Sequence, residues 1–292
     1  MTQIQNSRTQ NRGGVGSQNH AGGPSRQALA SQSTEPPALT TLIDLQVGIA
    51  SDRGQLRELN QDTCLALQFA LTQYQKPSLR VGLFIIAVGL GGHTDGEQAS
   101  ALAARMAARH VINQLYLPIL GDGQSPFDLA PINEVLETAV HIADQAIRHR
   151  LPEAGTTLTL ALTLGDGLYI AHVGDSRAYL GERGHLIPLT RDHSMAARLV
   201  EMEQATPEET FSQRNILYKA IGQGAETEPD ILYHALTRHQ YLLLCCDGLW
   251  SELTDEEMVR IIDASDTPGA ACQSLVAHAN KNGGEDNVSV IL

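Results

Sequence analysis

LTLALTLGDGLYIAHVGDSRAYL, residues 158–180, joins two apolar runs through a glycine-rich turn. Leu158, Leu160, Leu162 and Leu164 alternate with Thr and Ala, and a period of two places all four leucines on one face of a strand. Gly165-Asp166-Gly167 offers a hairpin turn into the second run, so the segment reads as an antiparallel meander. Working back toward the N-terminus, LIDLQVGIAS (residues 42–51), DTCLALQFAL (62–71) and LRVGLFIIAVG (79–89) have the same strand-like texture and are closed by Gly-containing turns. Two helical patterns separate these strands from the meander. The first runs from Glu97 to about Leu117. The second puts Ile132, Val135, Leu136, Ala139, Ala143, Ala146 and Ile147 on one stripe and is stopped by Pro152. Beyond the meander come a polar, helix-prone stretch from His193 to Arg214, a strand at YLLLCCDG (241–248), helices at 255–263 and 267–281, and a final strand NVSVIL (287–292). Strands and helices arrive in blocks rather than in strict alternation, which predicts an antiparallel α+β fold over a doubly wound one.

Residues 1–40 contain no aromatic side chain and are rich in Gln, Asn, Ser and Gly. Such a segment buries too little surface to offset its ordering entropy and is expected to be a disordered polar tail, leaving residues 41–292 as one domain. The tail carries a net charge of +2, so of the total of -13 the remainder holds -15. That acidity argues against nucleic acid and anionic membranes, and it permits metal cations. Cys64, Cys245, Cys246 and Cys272 form no CxxC pair, so neither a disulfide scaffold nor a structural zinc is expected. Cys245 and Cys246 read as small hydrophobes on opposite sides of a strand, and His172, among apolar neighbours, as a satisfied sheet histidine. No apolar run approaches membrane-spanning length, and no signal-peptide pattern opens the chain. A cytoplasmic location is expected.

The chemistry-bearing residues fall in ordered segments: RELNQD (57–62), AVGLGGHTDGE (87–97), Gly155-Thr156-Thr157, GDSRAY (174–179), CDG (246–248) and EDN (285–287). LTRDHS (189–194) and RNILYKAIG (214–222) flank them. In this order, over about residues 42–292, they resemble the PP2C-type (PPM family) metal-dependent Ser/Thr protein phosphatases, particularly bacterial ones. The resemblance implies a four-layer α-β-β-α sandwich with two central antiparallel sheets and a dinuclear Mg or Mn site at one end. There, two cations activate a water, and an Arg joins them in neutralising the phosphate.

Carried over residue by residue, Arg57 matches the phosphate-holding Arg, Asp62 the water-orienting Asp, and His93 the leaving-group acid. Asp247 and Asp286 match two carboxylate ligands, Gly89 a carbonyl ligand, and Asp175 a ligand to a third, more labile metal. Two positions depart from the pattern. A metal-ligating Glu is replaced by Gln61, and the Asp that bridges both cations is replaced by Val88. Gln keeps an acceptor oxygen, whereas an isopropyl group offers a hard cation nothing. The resemblance with these losses implies either a pseudophosphatase that binds a phosphoprotein, a kinase or a regulatory protein, or an active enzyme with an altered or mononuclear Mg/Mn site. Plain readings stand beside the chemical ones: Arg57 as an ion-pair partner, His93 as a solvated loop residue, Asp175 as a turn former. Asp95 and Glu97 are candidate replacement ligands. With no metal, Asp247 and Asp286 are expected to repel and to raise the pKa of one of them.

Overall fold

The computed structural model describes residues 45–72, 78–90, 95–121, 130–182, 184–224 and 227–292, which all belong to one compact unit. The polar tail of residues 1–40 and His93 lie outside the described residues.

Two antiparallel sheets form the centre. One is ordered β1 (Ile49–Asp52), β11 (Val288–Ile291), β10 (Tyr241–Cys245), β7 (Arg177–Glu182), β8 (His185–Pro188). The other runs β2 (Asp62–Leu71), β3 (Leu79–Leu90), β5 (Leu158–Leu164), β6 (Gly167–Val173), β9 (Asp230–Ala235), with the short β4 (Gly155–Thr156) beside the end of β3. Strand alternation sorts the core into three packed zones. Val81, Leu83, Ile85 and Leu158, Leu160, Leu162 face α1 (Asp95–Val111) and α3 (Ile132–Arg150). On the far side, Leu243, Cys245, Val288 and Val290 face α7 (Asp255–Asp263) and α8 (Pro268–Asn282). Phe84, Ile86, Ala161, Ile170, Leu244 and Ile291 fill the space between the sheets. The result is helix on sheet on sheet on helix, the expected α+β sandwich.

That layering explains why β5 is buried along nearly its whole length, and not on alternate residues alone. Its leucines meet the helices, and its small Thr159 and Ala161 meet the second sheet. His172 fits the same face: one ring nitrogen pairs with Thr159 Oγ1 at 2.9 Å and the other with the Arg191 carbonyl at 3.0 Å. Burial above all depresses its pKa to about 3, so it stays neutral.

Several boundaries differ from the sequence-based expectation. The first helix starts two residues earlier, at Asp95, and passes through a π-helical turn (Ile112–Tyr116) into α2 (Leu117–Gly121). Residues 193–214 form three short pieces instead of one helix: α4 (Met195–Glu201), α5 (Pro207–Thr210) and a 3-10 turn (Phe211–Gln213). Strand β10 stops at Cys245, and Asp247 opens the short helix α6 (Asp247–Trp250). Among the described residues, no helix is long and apolar enough to cross a membrane.

Candidate metal centre

Four aspartates converge at one end of the sandwich, and their elements explain how. Asp62 begins β2 and stands directly across the antiparallel pair from Val88 on β3. Both side chains point between the sheets, since Cys64 and Ile86, two residues along each strand, do so. Asp286 precedes β11, Asp247 follows β10, and Asp175 lies in the turn between β6 and β7. Asp247 and Asp286 approach because Gly248 has no side chain, as a Cβ there would run into the Asn287 carbonyl. A Cβ at Gly89 would likewise strike the Gly96 carbonyl in the first turn of α1. Gly96 in turn packs against the Gln61 amide, so Gln61, Gly96 and Gly89 nest together.

Electrostatics record the crowding. Burial, reinforced by the Asp247 charge, pushes Asp62 up to about 7, against some relief from Ser289 and Cys246. Both Asp62 carboxylate oxygens are buried, and neither has a hydrogen-bond partner. The Ser289 hydroxyl is instead engaged with Ser51 at 2.8 Å. Burial and then Asp286 raise Asp247 to about 6, and burial followed by Asp247 raises Asp175 well above the usual carboxylate range. Asp247 is thus within electrostatic reach of the other three.

Arg57 lies at the edge of this cluster. Its Nη2 donates to Asp286 Oδ2 at 2.7 Å, with the Arg57 side chain half exposed. The guanidinium therefore sits on a candidate ligand, as its ion-pair reading requires. Asp95 and Glu97 are exposed in the first turn of α1, where carboxylates complement the helix dipole.

Three supporting residues received no role from the sequence. Thr157 Oγ1 accepts from Val88 N at 3.0 Å, and Thr156 Oγ1 donates to Val88 O at 2.8 Å, so the Gly-Thr-Thr segment clamps the backbone of position 88 on both sides. Thr157 Oγ1 also meets Ser176 Oγ at 3.0 Å, linking that clamp to the turn that holds Asp175. Asn287 does the same for the Arg57–Asp62 segment: its Nδ2 donates to the Arg53 and Leu59 carbonyls, both at 2.8 Å, and its Oδ1 accepts from Gln61 N at 2.9 Å. The tripeptide EDN contained the signal, but side-chain bonds across more than 200 residues of sequence cannot be read from a tripeptide. Asn287→Ala is expected to cost about 2 kcal/mol, because three backbone groups lose their partner. A urea midpoint equal to that of wild type would contradict the assigned role.

Comparison with known proteins places this geometry. The family model described as Protein phosphatase 2C matches residues 56–277. The protein phosphatase PhpP of Streptococcus pneumoniae is 34% identical over 262 residues, covering 85% of this chain and 96% of that protein. The serine/threonine protein phosphatase PstP of Mycobacterium tuberculosis is 32% identical over 263 residues, covering 87% of this chain, although the chain spans only 46% of the length of that relative. The crystal structure of the catalytic domain of PstP in complex with two manganese ions superposes with a TM-score of 0.66 at 29% identity, covering 84% of this chain and 96% of the other. With the family model matched over residues 56–277 and a relative 34% identical along nearly its whole length, the chain belongs to the protein phosphatase 2C family.

Proposed function

We propose that the chain is a phosphatase-fold regulatory or binding module in which hydrolysis of phosphomonoesters is weak or absent. The observation that carries this reading is Val88, whose hydrocarbon stands across the strand pair from Asp62, where the family resemblance puts the carboxylate bridging two cations. Two divalent cations a few Å apart repel strongly unless an anion lies between them. Gln61 weakens the same half of the site by replacing a charge with a dipole, and Arg57 already neutralises Asp286.

The residues present nonetheless fit one hard cation. Asp62 offers two buried oxygens without a partner, and positive charge would offset the burial, and after it the neighbouring carboxylates, that raise Asp247 and Asp175. We assign Asp247, Asp175 and the Gly89 carbonyl as its ligands with Asp62 alongside, and Asp286 once released by Arg57. Mg or Mn is the ion of choice, held singly and weakly. Bound there, it would supply Lewis-acid charge to a phosphate oxygen. Arg57 would orient the phosphate, Asp62 would hold a water, and His93 would protonate the leaving group.

The same orphaned oxygens favour a second reading, an active protein Ser/Thr phosphatase with an altered or mononuclear site. In either case the partner is a phosphoprotein presenting phospho-Ser or phospho-Thr, or a kinase or regulatory protein. The relatives are named as serine/threonine phosphatases. Calorimetric titration with Mn2+, paired with hydrolysis of an aryl phosphate, tests the choice. Expected are millimolar binding of one ion and turnover near background; micromolar binding with turnover would establish the enzyme reading instead.

A further inference from the structure

We propose that Glu137, His141 and Glu228 form a separate metal site that takes a borderline first-row divalent cation such as zinc. Glu137 and His141 are four residues apart on α3, so they stand one above the other on one face of the helix. Glu228 comes from a different element, two residues before β9. One donor atom from each of the three lies within 4.8 Å of the other two.

The spacing is the first argument for an ion over an ordinary charge cluster. His141 Nε2 is 3.6 Å from Glu228 Oε2 and 4.0 Å from Glu137 Oε1. Both separations exceed hydrogen-bond reach, which ends near 3.2 Å. The three atoms stand at ion-pair separations, wider than hydrogen bonds, as donors around a shared cation would. Ligands at zinc distances of roughly 2.0–2.2 Å stand about 3.3–3.6 Å apart in a tetrahedron, so the His141–Glu228 separation already fits, and movement of the half-exposed Glu137 closes the shell.

The second argument is preorganisation. One turn farther along α3, buried Asp144 accepts from Gly222 N at 2.6 Å and binds the Arg148 guanidinium, which also donates to the Gln223 and Gly224 carbonyls. Thr227 Oγ1 donates to the Ala220 carbonyl at 3.1 Å. Glu228 is thus delivered to α3 by bonds that do not involve the metal. Donor chemistry then selects the ion. One imidazole with two carboxylates is richer in nitrogen than Mg or Ca prefers, and it suits zinc, with water free to take the remaining position. Two carboxylates and a neutral imidazole also balance the charge of the ion.

The site lies in the helix layer outside the six-stranded sheet, whereas the aspartate cluster opens between the sheets. Its structural effect would be to fasten Thr227 and Glu228, and with them the bonds to Ala220, to α3. From Ala220 the chain reaches the other centre through Ile221, which is bridged to Thr156 behind Val88.

The test is zinc titration of the full, chelator-stripped chain by calorimetry, with Asp247→Asn, His141→Ala and Glu228→Gln alongside. Expected are one equivalent of zinc in wild type and in Asp247→Asn, loss of that step in His141→Ala, and at least tenfold weaker binding in Glu228→Gln. The Glu228 side chain is 72% exposed, so its Gln variant decides the matter even if His141→Ala fails to fold. Zinc should also raise the melting temperature of wild type by more than that of Glu228→Gln. No zinc step in wild type, a step unchanged in Glu228→Gln, or a step abolished by Asp247→Asn would overturn the proposal.

Discussion

Val88→Asp combined with Gln61→Glu is expected to raise Mn-dependent hydrolysis of an aryl phosphate by about 100-fold or more. A cation poised on a phosphoryl oxygen contributes several kcal/mol to the transition state, and each 1.4 kcal/mol is about tenfold in rate. The scaffold is ready for the change. Thr156 and Thr157 hold both polar backbone groups of residue 88, so a new side chain there need not move the strand. Asp differs little from Val in bulk, and at this register it enters beside Asp62. Val88→Asp alone should give most of the gain, because Gln61 already presents an oxygen. Without metal, the double variant should be less stable than wild type, since further carboxylates join a crowded cluster, and Mn2+ should raise its melting temperature by more. A double variant that binds Mn2+ tightly yet hydrolyses no faster than wild type would move the defect to the segment containing His93.

Much of this arrangement was legible from residue order. The alternation in β5, the turn at Gly165–Gly167 and the stripe on α3 each reflect local physics, and each stands where the pattern puts it. Strand β9 was not legible: its sequence DILYHA alternates weakly, and it is held by pairing with β6 along a register set more than fifty residues earlier. The broken stretch at 193–214 shows helix propensity losing to tertiary demands. Met195 N bonds to the Ile216 carbonyl and Tyr218 N to that of His193, which folds the segment back on itself. Within the site, the identities of the aspartates were readable, but their burial was not. Asp62 looks like any acidic residue at a strand start, and its cost arises from burial between the sheets, with the Asp247 charge adding to it. The Arg57–Asp286 ion pair joins residues 229 positions apart, and no local pattern encodes it.

Burial of Asp62 sets a pH dependence opposite in sign to ordinary acid denaturation. In the folded, metal-free chain its carboxyl titrates near 7, against 3.8 as its ordinary value. Below both values it is protonated folded and unfolded alike, and it has no effect. As the pH rises between them, the unfolded chain ionises freely while the folded one must keep its proton, so stability falls with rising pH. Above about pH 7 the penalty levels off on the order of 4 kcal/mol for this group, at about 1.4 kcal/mol per unit of displacement. Asp247, raised to about 6, adds a contribution of the same sign. Urea midpoints measured in chelator should therefore increase on going from pH 8 to pH 5, and Asp62→Asn, which cannot ionise, should flatten much of that slope. Saturating Mn2+ at pH 8 should act in the same direction as lowering the pH, because a cation and a proton both neutralise the buried carboxylate charge. If wild type and Asp62→Asn share one slope, then solvent reaches the Asp62 oxygens, and the strongest reason to assign a cation to this cluster is lost.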